Sequence, residues 1–396
     1  MTEWKNCTIS DLGNIIGGAT PSTKNPTYYD GGEIPWITPK DLADFQGRYI
    51  SHGKRNITEA GLRSCSAQML PAHTILFSSR APIGYIAIAA NSVCTNQGFK
   101  SVIPNDNTDY LFLYYLMKYY KHVIEGMGSG TTFKEVSAAT MRGIKVRVPK
   151  EKRDQHRIAA FLSALDDKIE INNQINKNLE QQAQSIYEEF LSNHQTFPVT
   201  IGDIVLMANT GADAIQKAPI VDYDTGIRCV RVGDLSNQRP VYEWGFTKVT
   251  SEIFKRYQLH KDDIVVTRTA SLGLNQLIGE DLNAVYNNGL IRISINDDIV
   301  YPLIVYRQFQ TKDYRNYISR ITGETSVRPN MKINYLLKYK FEILEKAEQT
   351  ELVHIIQPLF EAQERNTSEN LLLLSLRDAL LPKLMTGELD VSDLNF

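Results

Sequence analysis

The feature that most constrains this 396-residue chain is an apolar seam that occurs twice. Stepping alternately by four and three residues, the first seam reads Ile158, Leu162, Leu165, Ile169, Asn172, Asn176, Leu179, Ala183, Ile186, Phe190. The second reads Leu352, Ile356, Leu359, Gln363, Asn366, Asn370, Leu373, Arg377, Leu380, Leu384. Two asparagines interrupt each seam at the same two points, and Asn366 follows Asn172 by 194 residues. A 4-3 spacing lines apolar side chains along one stripe of a helix, as in a coiled coil. A helix over 151–192 is about 60 Å long at 1.5 Å per residue, and so narrow a stripe does not stabilise it alone in water. The economical arrangement has the seams bury each other, side by side and antiparallel, with a globule between them. Paired asparagines then cost stability and hold the register. The alternative is two separate helices, each packed on its own globule. Pro358 lies inside the second stretch, and an interior proline costs ~3 kcal/mol. A kink there, or a helix that begins near it, is expected.

The repeat extends beyond the helices. Thr8-Ile9-Ser10-Asp11-Leu12-Gly13, read as a β-like stretch with a turn, returns as Thr200-Ile201-Gly202-Asp203-Ile204. Ile34 to Leu42 is echoed by Ile227 to Leu235, Thr74 to Arg80 by Asp263 to Thr269, and Asn96-Gln97-Gly98 by Asn287-Asn288-Gly289. Each large region reads as short β-branched strands broken by Gly, Pro and Asn turns, with one apolar helix late in the unit. Those helices are Tyr110 to Met117 and roughly Tyr301 to Arg307. The expected fold is α+β, a pseudo-twofold internal repeat of two α/β globules alternating with two long helices. The boundaries are 1–150 and 196–345 for the globules, 151–195 for the central helix and 346–396 for the second helix and tail.

Composition narrows the classes. An apolar fraction of 42% with 22% charged residues is that of a soluble globular chain. No apolar run reaches the roughly 18 residues of a membrane span, and MTEWKNCTIS lacks a signal-peptide pattern, so a cytoplasmic location is expected. Cys7, Cys65, Cys94 and Cys229 lie far apart without metal-ligand spacing and read as free thiols. The net charge of −2 divides as +5 over 1–150, −3 over 151–192, +1 over 193–345 and −5 over 346–396. The acidity sits on the helices and tail, which leaves the globules free to carry a local basic face.

Catalytic patterns are missing. Asn25-Pro26-Thr27-Tyr28 resembles the Asn-Pro-Pro-Tyr that holds an extruded adenine, but no Gly-rich methyl-donor segment precedes it, so it reads as a turn. Gly126-Met127-Gly128-Ser129-Gly130-Thr131 lacks the Gly-Lys-Ser/Thr of a phosphate cradle. It is either a plain turn or a loop whose N–H groups approach a phosphate. The histidines show no ligand spacing. What remains is polar chemistry on turns after strands: Thr38, Lys40, Ser79, Arg80, Asn96, Gln97 and Lys134 in the first half. The second half offers Arg231, Thr267, Arg268, Asn287, Asn288, Arg328 and Lys332. Arg suits guanine edges and Asn or Gln adenine edges, while Lys, Ser and Thr hold phosphates. Each taken singly also fits a solvated surface; as a set at matched points of both halves they favour a binding face.

The segment Gln155-His156-Arg157-Ile158-Ala159-Ala160-Phe161-Leu162-Ser163-Ala164-Leu165-Asp166-Asp167-Lys168-Ile169-Glu170 resembles the central conserved region of type I restriction-modification specificity (S) subunits. Leu376-Arg377-Asp378-Ala379-Leu380-Leu381-Pro382-Lys383-Leu384-Met385-Thr386-Gly387-Glu388-Leu389 is similar to that family's C-terminal conserved region. The departure is Glu345-Lys346-Ala347-Glu348-Gln349, where Pro-rich residues are common in the family. The resemblance implies a non-catalytic subunit that binds double-stranded DNA. Two target-recognition domains would each read half of a split site, with the antiparallel helices, pinned by Asn172, Asn176, Asn366 and Asn370, setting the gap. It implies two methylation (M) subunits using S-adenosylmethionine for adenine N6 methylation. Restriction (R) subunits using ATP and Mg²⁺ would complete a DNA-cleaving assembly, and this chain itself would bind no cofactor. The competing readings are an interaction scaffold with two protein-binding globules and a methyltransferase with its own active site.

Overall fold

Four Thr-x-x-Asp or Arg-x-x-Asp signatures set the local architecture. Thr8 and Thr200 each cap a one-turn helix, Ile9–Leu12 and Ile201–Ile204, in which the aspartate three residues on accepts from the cap's backbone N–H. These segments, expected as β-like, are therefore strand, helical turn and strand. A capping box satisfies donors that a continuing strand would leave to a neighbour. Thr38 and Arg231 do the same for Pro39–Leu42 and Val232–Ser236. The computed structural model describes residues 2–390 except 44, 46, 81, 130–133 and 325–329.

The chain divides into two units, Met1–Glu170 with Leu372–Phe396, and Ile171–Leu371. In the first, a five-stranded sheet runs in the order Gly13–Gly17, Lys100–Pro104, Ile75–Ser79, Ile83–Ala89, Tyr49–Ile50. A three-stranded sheet follows the order Arg55–Ile57, Ile34–Ile37, Cys94–Thr95, the last pair parallel. Trp4–Thr8 pairs antiparallel with Lys145–Pro149, tying the start of the globule to the strand that leads into the first long helix. The second unit repeats the plan. Its sheets run Val205–Thr210, Leu290–Ile295, Ile264–Thr267, Asn275–Leu277 and Ile220–Val221, Gly245–Thr247, Arg228–Val230, Ala284–Tyr286. Thr196–Thr200 pairs with Lys340–Leu344 just ahead of the second long helix.

The apolar helices lie where the run of large side chains requires, at Tyr110–Tyr119 and Pro302–Gln308. Lys312–Glu324 adds a helix that the sequence pattern had not signalled. In the first unit Phe112, Leu113 and Leu116 pack with sheet residues Ile75, Phe77 and Val102 and with Ile158 and Leu162 of the long helix. Leu384 and Met385 close the same core. In the second, Leu303 and Ile304 pack with Ile264, Ile291 and Ile293, with Tyr187, and with Leu352, Ile356 and Phe360. The seams are thus shared: their ends enter the globule cores, while the middle is helix against helix.

The long helices are Lys152–Asn193 and Lys346–Thr386. Their pairing is antiparallel in each unit. Asp166 meets Arg377 in the first; in the second Asn172 meets Asn370, Asn176 meets Asn366 and Glu180 meets Gln363, so numbers rise on one helix as they fall on the other. The second helix begins at Lys346, twelve residues ahead of Pro358, not near the proline. Glu348 accepts from the Glu345 N–H at 3.2 Å and starts it. Pro358 and His354 both face solvent, where water can take the carbonyl that the proline cannot.

Two residues outside the expected set anchor the helix starts. Gln155 and Gln349 are each 1% exposed. Gln155 accepts from Asp109 N at 3.0 Å and donates to Pro149 O at 3.2 Å. Gln349 accepts from Tyr301 N at 3.3 Å and donates to Leu344 O at 2.9 Å and Ile299 O at 3.0 Å. Each amide therefore joins the strand end, the capped apolar helix and the long helix through buried hydrogen bonds, which makes the joint rigid.

Candidate nucleic-acid interface

The same turn is built in both globules. Asn96 N donates to Ile37 O at 3.0 Å, and Asn287 N to Val230 O at 3.2 Å. Asn96 Oδ1 accepts from Gly98 N at 2.9 Å, and Asn287 Oδ1 from Gly289 N at 3.0 Å. A second loop lies against each turn: Ala19 N donates to Thr95 O at 3.0 Å and Ala212 N to Tyr286 O at 2.9 Å. That approach needs glycine, since a Cβ on Gly18 would strike the carbonyls of Thr95 and Asn96, and one on Gly211 those of Tyr286 and Asn287. Asn96 and Asn287 therefore use their side chains to hold the turn. The residues each turn presents to solvent are Gln97 and Asn288.

The neighbouring loop is also duplicated, in the register that sets Thr74 to Arg80 against Asp263 to Thr269 and not in one that matches Arg80 with Arg268. Ser78 Oγ donates to Pro82 O at 2.8 Å and accepts from Tyr85 N at 2.8 Å. Thr267 Oγ1 donates to Ser271 O and accepts from Leu274 N at 2.9 Å. Thr267 thus matches Ser78, and Arg268 matches Ser79, whose N–H groups go to Gly289 O and Gly98 O. Arg80 pairs across to Glu135 as Thr269 does to Asn330. Arg80 and Arg268 are consequently not at matched points, because a one-residue slip in a strand turns a side chain to the other face.

The remaining candidates divide by burial. Ser79 and Thr267 are fully buried and act within the loop. Thr38 donates to Asp41 at 2.6 Å, and Arg231 Nε to Asp234 at 3.3 Å, so both are engaged as caps. Arg268 donates to Met331 O at 3.2 Å and Asn288 O at 3.0 Å, which holds its guanidinium beside the turn. Arg80 lies 3.5 Å from Glu135, whose other oxygen is 3.1 Å from Lys100. Lys100 was not singled out from sequence; its place two residues after Gly98 was the available signal. Lys40, Lys134 and Lys332 are exposed. Lys332 stands at the N-cap position of Ile333–Leu337, without a side-chain cap bond, where Ser137 caps Ala138–Gly143, so its counterpart is Ser137, not Lys134. Arg328, and Gly130 and Thr131 of the Gly-rich segment, lie outside the described residues. Asn25-Pro26-Thr27-Tyr28 forms a 3₁₀ turn in which Asn25 accepts from Thr27 N at 3.2 Å. Among the described residues no three His, Cys, Asp or Glu groups converge as a metal site. No described helix is long and apolar enough to cross a membrane.

Polar groups also run along the helix pair. Asn172 donates to Glu369 at 2.7 Å and Asn370 at 2.9 Å, Asn370 donates to Asn173 at 2.9 Å, and Asn366 donates to Asn176 at 2.8 Å. Glu180 takes Gln363 at 3.1 Å and the fully buried Arg307 at 2.9 Å. In the first unit the buried Arg48 is held by Asp167 and by Glu170 at 2.8 Å. Asp166 receives Arg377 at 2.8 Å and the Tyr115 hydroxyl at 2.6 Å. Burial pushes the Asp166 carboxyl up, but Arg377, Lys118 and Tyr115 outweigh it and hold it below the usual aspartate range. These contacts fit one register, and a slip of either helix breaks several at once.

Residues 1–181 match the family model described as the type I restriction modification DNA specificity domain. The type I restriction enzyme MjaIX specificity subunit of Methanocaldococcus jannaschii is 33% identical over 99% of this chain and 95% of its own length. The EcoR124I/EcoR124II specificity subunit of Escherichia coli is 29% identical over 50% of this chain and 48% of its own. The crystal structure of the type I restriction-modification system S subunit from M. genitalium aligns over 97% of this chain and 96% of its own, with 18% identity and a TM-score of 0.55, a likeness of fold. A one-third identity over nearly the whole of both chains, joined to the duplicated globules and paired helices, places this chain in the family of type I restriction enzyme specificity subunits.

Proposed function

We propose that this chain is the non-catalytic DNA-reading subunit of a type I restriction-modification assembly, and that each globule reads one half of a bipartite site in double-stranded DNA. The observation that carries the reading is one backbone frame built twice with different exposed groups, Gln97 on the first turn and Asn288 on the second, where the half-buried Arg268 lies beside it. Equal frames with unequal side chains are what two readers of unequal half-sequences require, since base edges are told apart by donor and acceptor pattern. Lys40, Lys134 and Lys332 are the groups for the phosphate backbone. The paired helices set the gap between the half-sites and dock two methylation subunits, with restriction subunits joining them. S-adenosylmethionine, ATP and Mg²⁺ belong to those partners in this reading, as the chain carries neither a methyl-donor Gly-rich segment nor a Gly-Lys-Ser/Thr phosphate cradle.

One good base contact is worth about 1–3 kcal/mol of discrimination. Methylated adenines mapped across a genome expressing the assembled complex should therefore lose definition in one half-site with Gln97→Ala and in the other with Asn288→Ala. Relaxation of both halves by either variant would refute independent readers. Binding that does not fall steeply with salt would instead indicate a scaffold whose globules bind proteins.

A further inference from the structure

Ile215 has the most exposed large apolar side chain among the described residues, at 84%. It stands on a loop that is closed on itself. Asp213 Oδ1 accepts from Ile215 N at 3.0 Å and Gln216 N at 2.8 Å, while the Asp213 carbonyl takes Lys217 N at 3.1 Å and Ala218 N at 2.9 Å. The loop is also joined to the second globule's turn. Asn288 N donates to Ala212 O at 2.8 Å, and Asn288 Nδ2 reaches Asp213 Oδ2 at 3.5 Å. An isoleucine is thus held out in water, two residues after the Asp213 that meets the exposed Asn288.

Such exposure has a cost, because each CH₂ left in water forgoes about 0.8 kcal/mol of burial. Its neighbours on the loop, Asp213, Gln216 and Lys217, are polar, and Asp213 meets Asn288. In the first globule the matched loop, aligned through Gly18 and Gly211, has Thr20 bonded to Gln97 where Asp213 meets Asn288. There Ser22 occupies the place of Ile215. The apolar probe is therefore a property of one reader and not of the shared frame.

An exposed apolar side chain set among polar groups matches one feature of a major groove. The thymine C5-methyl is the apolar group among donors and acceptors on the base edges. We infer that Ile215 is a specificity-determining residue that packs on a thymine methyl in the half-site read by the second globule. This rests on the DNA-reading function proposed above. Lys217, two residues on and exposed, is placed to hold the adjoining phosphate.

The test uses the full chain assembled with its methylation subunits and duplexes carrying the site found by methylation mapping, with each thymine replaced in turn by uracil. Removing one buried methyl should weaken wild-type binding about fourfold at a single position of the second half-site. Ile215→Ala should bind the thymine duplex more weakly and no longer distinguish thymine from uracil there, with the first half-site unaffected. Equal responses of wild type and Ile215→Ala at every thymine, or a second half-site with no thymine on either strand, would overturn the assignment. Loss of methylation subunits from Ile215→Ala with DNA discrimination intact would overturn it in favour of a protein contact. A wild-type assembly with no sequence preference would instead remove the DNA-reading function itself.

Discussion

Glu135 is an acidic group set between two cations of the first globule's candidate interface, 3.1 Å from Lys100 and 3.5 Å from Arg80. Its replacement by glutamine has a definite expected sign on DNA binding. The side chain keeps a carbonyl that can accept from both cations, and Arg80 and Glu135 are each more than a third exposed. Loss of fold stability should therefore stay near 1 kcal/mol. For DNA, a phosphate seated on this cluster at about 7 Å would be relieved of one negative charge, worth roughly 0.6 kcal/mol at the dielectric of water and about twice that at half that dielectric. Affinity should rise about three- to sevenfold at low salt. Because one more cation is left to the phosphates, the slope of log K against log salt should steepen by about 0.9. Fluorescence anisotropy of the assembled complex, with specific and non-specific duplexes over a salt series, reads both quantities. The gain should be equal on the two duplexes, since charge carries no sequence information. An unchanged slope, or weaker binding by a variant that unfolds normally, would refute the placement of this cluster on DNA.

Two substitutions on the helix pair have opposite expected effects. Asp166→Asn leaves the mostly buried Arg377 with only the exposed Asp378, and should cost about 2 kcal/mol in urea unfolding at neutral pH. The folded carboxyl lies below the ordinary 3.8. The contribution is therefore full above that value and is lost as pH falls through the lower folded value, where wild type and variant should converge. Replacing Asn172 and Asn370 together by leucine should instead raise stability by about 1–3 kcal/mol, because it removes buried amides of which Asn172 Oδ1 already lacks a partner. A less stable double variant would contradict the view that these asparagines cost stability.

How far the sequence could be read depended on whether a residue's role repeats at a spacing. The 4-3 seams identify both long helices and their antiparallel pairing, since so narrow a stripe needs a partner along its middle. The recurrence of Asn-x-Gly after a β-branched run locates the turns, and Gly98 and Gly289 follow their asparagines in both. Tertiary register is less legible. Arg80 and Arg268 align by residue type, yet the loop hydrogen bonds of Ser78 and Thr267 set them one position apart. Gln155 and Gln349 precede the first seam residue by three positions in each half, but single polar residues carry no periodicity to mark them as buried. Pro358 reads as a break by type and is tolerated by place, on the solvent side of its helix. Arg48 and Arg307 could not be matched to Glu170 and Glu180 from sequence, because those pairs join residues far apart in the chain.

The proposal that the paired helices set the gap between half-sites is tested most directly by lengthening both together. Seven residues continuing the 4-3 pattern, inserted after Leu179 and after Ala362, keep the seams in step because Asn176 stays on one side of both insertions with its partners Gln363 and Asn366. The added rise is about 10 Å at 1.5 Å per residue, close to three base-pair steps of about 3.4 Å. A genome-wide map of methylated adenines should show both half-sequences unchanged and the gap longer by about three base pairs. The same gap with the same half-sequences, from a complex that assembles and methylates, would contradict it.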